Sequence, residues 1–202
     1  MGHVPEICLI TDLNTDVASE LSFLIPEFRT KLKDLLEACR ARGVRIEVLT
    51  TLTTPLEQAS LWRQGRTPAE IEMKALALDN ANAKYLANCI RSGKTQATNI
   101  VTQDLPGFSW HQWAEAVTCV WVDTNNKLVW SAEWIDKVNQ HNGYIVLAEE
   151  AAKVGLVNRS VFDARNIENW HVVQYRKEKS PDEVYTLDQI NAEMQKRYGG
   201  VR

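Results

Sequence analysis

The sequence has no apolar run of about eighteen residues, which excludes a membrane-spanning helix of ordinary length. Its four cysteines, Cys8, Cys39, Cys89 and Cys119, never fall in CxxC spacing. That pattern argues against a disulfide framework and against a thiolate zinc site, so they are expected as reduced, mostly buried thiols. Neither sign of charge dominates: 23 Lys and Arg stand against 26 Asp and Glu, a net charge of −3. No basic stripe suits a phosphate backbone, so no nucleic-acid partner is expected, and no acidic solvating tail is present. There is no internal repeat and no low-complexity stretch. The opening Met1-Gly2-His3-Val4-Pro5-Glu6 has neither a charged n-region nor an apolar h-region, so synthesis in the cytoplasm without an export signal is expected.

What is present is enough apolar content, 45%, to bury one proper core, together with seven tryptophans. Phe28, Leu32, Leu35, Leu36 and Cys39 recur at helical steps, predicting a helix from Phe28 to Arg42 that Pro26 opens and Gly43 stops. Val44 to Leu49 alternates as a strand. Thr54 as N-cap and Pro55 at the first position predict a helix to Gln64, and a third helix is expected over Ile71 to Ile90. Ala116 to Val122 reads as a buried strand and Lys127 to Trp130 as its hairpin partner across Asp123-Thr124-Asn125-Asn126. A helix over Tyr144 to Val154 and a strand over His171 to Tyr175 complete an α+β domain spanning residues 1–176.

Residues 177–202 form a separate C-terminal helical arm in this reading. Thr186-Leu187-Asp188-Gln189 fits a capping box, and Leu187, Ile190 and Met194 make an apolar stripe. The stripe can dock on its own domain or on another protein subunit, and the arm is the expected route to such partners.

Three segments carry chemistry together. They are Pro106-Gly107-Phe108-Ser109-Trp110-His111-Gln112-Trp113-Ala114-Glu115-Ala116-Val117-Thr118, the later Glu168-Asn169-Trp170-His171, and Thr53-Thr54-Pro55-Leu56-Glu57-Gln58-Ala59-Ser60-Leu61-Trp62-Arg63-Gln64-Gly65-Arg66-Thr67. In order and spacing they resemble the signatures of the M15 peptidases, zinc-dependent D-alanyl-D-alanine carboxypeptidases and dipeptidases and phage L-alanyl-D-glutamate endopeptidases. The likeness runs from about Leu24 to Arg176. It implies a Hedgehog/DD-peptidase-like fold with a small, mostly antiparallel sheet. It also implies that His111 and His171 occupy the two zinc-imidazole positions and Glu168 the general-base position, with Ser109, Gln58, Trp110 and Trp170 along the substrate groove. The tryptophans can equally be core packing.

The departures from that pattern are specific. The family's metal carboxylate, seven residues after the first histidine, is Thr118 here, and its arginine, five before Gln58, is Thr53. The motif glycine is Ala114. A neutral hydroxyl replaces an anionic ligand, and a neutral side chain replaces the oxyanion-stabilising cation. Cys119 should face away from Thr118 by strand alternation, Asp123 is out of phase, and Arg66, His141 and His3 are weak substitutes. The expectation is a pseudoenzyme with a vestigial histidine pair and no required cofactor, associated with a phage particle or tail and touching peptidoglycan. The alternative is an active zinc D,D-carboxypeptidase or L-alanyl-D-glutamate endopeptidase acting on stem peptides.

Overall fold

The computed structural model describes residues 21–95, 99–133, 135 and 142–200. His3, Cys8 and His141 lie outside them. Helix α1 (Pro26–Ala41) carries Pro26 in its first turn and buries Phe28, Leu32, Leu35 and Cys39 along one stripe. Strand β1 (Arg45–Thr50) follows, then α2 (Pro55–Arg63), opened by a full capping box between Thr54 and Glu57.

The single helix expected over Ile71 to Ile90 is two. Helix α3 (Pro68–Asn80) starts at a second capping box, Thr67 with Glu70, and α4 (Lys84–Ser92) begins after a break at Ala81-Asn82-Ala83. Asn82 sits at φ 60°, the left-handed conformation asparagine tolerates best among non-glycine residues, and Ala83 N–H donates to the Leu78 carbonyl to close the turn. Both helices contribute buried residues to the same apolar cluster, so apolar positions recur on either side of the break and pattern alone did not reveal it.

Strand β2 (Ala116–Val122) is the centre of the sheet. It pairs antiparallel with β1, with the short β3 (Leu128–Val129) and with β5 (Val172–Gln174), which in turn pairs with β4 (Val157–Asn158). Helix α5 (Gly143–Lys153) is capped by Asn142, whose Oδ1 accepts from the backbone N–H groups of Tyr144 and Ile145. His171 ends a 3-10 turn (Ile167–His171) and does not open the last strand as expected; β5 starts one residue later.

Two apolar clusters flank the sheet. One packs α1 and α5 on Val117, Cys119 and Trp121; the other gathers α2, α3 and α4 around Trp110, Trp113 and Ala116. Each large side chain fully buried in them contributes roughly 1.5–3 kcal/mol. Thr118 interrupts β2's buried pattern, half-exposed between Val117 and Cys119. The alternation of the strand thus delivers one hydroxyl to a surface cleft while Cys119 enters the core.

Helix α6 (Leu187–Tyr198) forms as its capping box predicts, but it is not free. Ile190 and Met194 are fully buried in the second cluster. Asn191 Oδ1 accepts from the N–H groups of Tyr85 and Leu86, Arg197 Nη1 donates to the Trp113 carbonyl, and Tyr198 Oη to that of Gln112. Gly107, at φ 87°, lies so close that an added Cβ would sit 2.5 Å from Ile190 Cγ2. Of the two surfaces open to the apolar stripe, the chain's own domain buries Ile190 and Met194, as a twelve-residue helix that is marginal alone requires.

Candidate functional site

A cleft of about 590 Å³ opens beside Thr118, lined among others by Thr53, Gln58, Asp104, Ser109, His111, Arg159, Asp163, Glu168 and Lys179. Six of the residues singled out from the sequence, Thr53, Gln58, Ser109, His111, Thr118 and Glu168, meet there from three separate segments.

Ser109 caps the 3-10 turn Trp110–Trp113 and so holds His111 at the head of β2. Its Oγ lies 3.2 Å from His111 Nδ1, and on the other side of the ring Nε2 lies 3.1 Å from Thr118 Oγ1. Burial first, and the Arg159 guanidinium second, push the His111 pKa down to about 4, so the ring is neutral at pH 7.

His171 stands elsewhere. It is buried, and its Nε2 lies 3.1 Å from the Trp130 carbonyl oxygen. Its Nδ1 is 2.9 Å from Tyr144 Oη and 3.2 Å from the Cys119 carbonyl oxygen. Tyr144 Oη itself donates to the Val129 carbonyl at 2.6 Å. Both ring nitrogens of His171 are thus engaged by the core behind the sheet, and the residue does not line the cleft.

Two other expectations are corrected. Trp110 is completely buried, with Nε1 donating to the Glu178 carbonyl, and belongs to the second apolar cluster and not to a groove. Trp170 packs against the first cluster, its Nε1 donating to the Ala164 carbonyl, and is not among the cleft's lining residues. Gln58 reaches the cleft but holds structure: Nε2 donates to the Asp104 carbonyl at 2.8 Å, and Oε1 accepts from Gln112.

Among the substitutes considered, Arg66 ties α2 to the next loop through the carbonyls of Trp62 and Thr102 and through Gln103 Oε1. Asp123 closes the β2–β3 turn by accepting from the N–H groups of Asn125 and Lys127. Two cationic residues line the cleft, Arg159 and Lys179, and sequence reasoning missed both. Arg159 is the more enclosed, with a side chain only 13% exposed. It lies in the 3-10 turn Arg159–Val161 between β4 and the Glu168 segment, and no local spacing marks it.

A zinc donor set needs about four ligands, three of them protein nitrogen, sulfur or carboxylate oxygen. The residues here do not fit it. Thr118 offers a neutral hydroxyl, Cys119 faces the core and His171 is turned away. Among the described residues no group of three or more His, Cys, Asp or Glu is placed to hold a metal.

The site is thus built on a central antiparallel strand with the Ser-x-His turn before it and the Glu-Asn-Trp-His turn beside it. The family model described as D-alanyl-D-alanine carboxypeptidase (VanY) matches residues 22–178, and the chain belongs to that family. Among solved structures, one similar chain is a variant of the vancomycin-resistance D,D-pentapeptidase VanY from a VanB-type cassette in complex with Zn(II). It is 19% identical, covered over 83% of its length and 85% of this chain, with a TM-score of 0.41. Another is VanYB in complex with D-alanine-D-alanine, 17% identical, 84% and 89% covered, with a TM-score of 0.37. A search of curated proteins returned no match.

Proposed function

We propose that this chain is a non-hydrolysing member of its family, a peptidase scaffold that holds the end of a peptidoglycan stem peptide in its cleft without cleaving it. One observation carries the reading: His111 Nε2 faces Thr118 Oγ1 at 3.1 Å, a neutral pair where a metal and its carboxylate would stand. The acidic residues of the cleft, Asp104, Asp163 and Glu168, form no metal-holding group with His111 among the described residues, and Thr53 at the cleft wall supplies no cation for a developing oxyanion. Loss of one such donor alone costs about 10²–10³ in rate. The cleft, by contrast, measures about 590 Å³ and is rich in hydrogen-bonding groups, which suits binding.

The test is direct. Purified protein is assayed for bound zinc, for D-alanine release from stem pentapeptide, and for binding of D-alanyl-D-alanine by calorimetry. Substoichiometric zinc, no release and measurable binding are expected. One tightly held zinc per chain with robust D-alanine release would instead establish the active zinc carboxypeptidase.

A further inference from the structure

We infer that Arg159 is the anchor of the cleft for a carboxylate group of the bound molecule, a use of the site that rests on the peptide-holding reading above. The side chain of Arg159 is only 13% exposed, yet its Nε is buried without a hydrogen-bond partner. Its ion pair is loose, with Asp104 Oδ2 standing 3.9 Å from Nη1, beyond hydrogen-bonding distance. A guanidinium carries five N–H donors in a planar fork, and leaving them unsatisfied away from water is costly. The group that matches the fork is a planar carboxylate taken by two parallel hydrogen bonds.

The surroundings narrow the ligand further. The cleft holds two cations, Arg159 and Lys179, against three acidic residues, Asp104, Asp163 and Glu168. A polyanion would meet net repulsion, whereas a single carboxylate aimed at Arg159 would not. The acids leave room for a ligand that also carries donors, as a short peptide does. Arg159 and His111 line the same cleft, and after burial the guanidinium is the second cause that lowers the basicity of His111. In this chain a fixed side-chain cation thus does the electrostatic work of holding an anionic ligand beside His111.

The experiment uses the full chain and three probes: D-alanyl-D-alanine, its C-terminal amide, and acetate. Calorimetry gives affinities, and the Arg159 Nε–H resonance in ¹⁵N NMR reports the contact itself. The dipeptide should bind at least about tenfold more tightly than the amide, and acetate should move the Nε–H resonance. Arg159→Gln should abolish the difference between dipeptide and amide, while Arg159→Lys, which keeps the charge and loses the fork, should retain part of it. Melting curves of both variants confirm folding. Equal binding of dipeptide and amide by the wild type overturns the Arg159 inference and leaves the peptide-holding reading standing. No dipeptide binding, with an acetate response lost in Arg159→Gln, overturns that reading and keeps the carboxylate site. No response to any probe overturns both.

Discussion

Thr118 Oγ1 lies 3.1 Å from Nε2 of His111, so the imidazole edge that would face a metal faces a hydroxyl. Replacing Thr118 with aspartate puts an anionic ligand at that edge and should raise zinc affinity roughly tenfold or more, since even outer-shell partners of a metal are worth that much. The site should still lack His171. Adding His171→Ala to Thr118→Asp should therefore change zinc affinity by less than about threefold, as read by calorimetry. A loss above tenfold would mean that His171 leaves the core to bind the ion.

His171 acts in stability. It joins the Trp130 carbonyl, Tyr144 and the Cys119 carbonyl behind the sheet. His171→Ala removes those bonds and opens a cavity beside the fully buried Tyr144, and should lower unfolding free energy by about 2–4 kcal/mol in urea titrations. An unchanged midpoint would show that the histidine contributes nothing there.

The C-terminal helix should behave as core. Met194→Ala is expected to cost about 2–5 kcal/mol, as buried methionine truncations do. Removing residues 180–202 would expose Trp113 and the α4 face that Ile190 covers, and the truncated chain should melt markedly lower or aggregate. A truncated protein with an unchanged melting temperature would contradict the packing.

Acid should weaken the join between α1 and α5. Glu150 pairs with Lys153 and Arg42 at 2.7 Å each, and hydrogen bonds from both hold its pKa below the ordinary carboxylate value. A carboxylate depressed in the folded state stabilises it above the ordinary carboxylate range, and that stability is lost as pH falls through its lowered pKa. Glu150→Gln should thus reduce stability at pH 7 and flatten the acid limb of the stability–pH curve. Parallel curves for the two proteins would rule the pairing out as a contributor.

Much of this molecule was legible in the residues because the signals are local. Capping boxes at Thr54 and Thr186, the β-branched run of β2, and the turn at Asp123 each depend on neighbours a few positions away. The three motif segments likewise held Thr53, Gln58, Ser109, His111, Thr118 and Glu168, which meet on one cleft, because short turns and a helix start fix the local spacing within each segment. The same local rules assigned Cys119 to the core, since alternation along a strand needs no knowledge of what packs on either face.

Tertiary structure alone decided the rest, where a side chain had more than one direction to take. A histidine at a ligand spacing can face the cleft or the core, and for His171 the carbonyls of Trp130 and Cys119 and the hydroxyl of Tyr144 determine which. These partners lie between 27 and 52 residues away in sequence. Arg159 became a cleft residue only when β4 paired with β5 and carried its turn to the rim. An apolar stripe such as that of Leu187, Ile190 and Met194 states that a face must be buried, and not against what. The groove beside Leu86 and Gly107 supplied the answer, because folding buries apolar surface on whatever complementary face lies within reach.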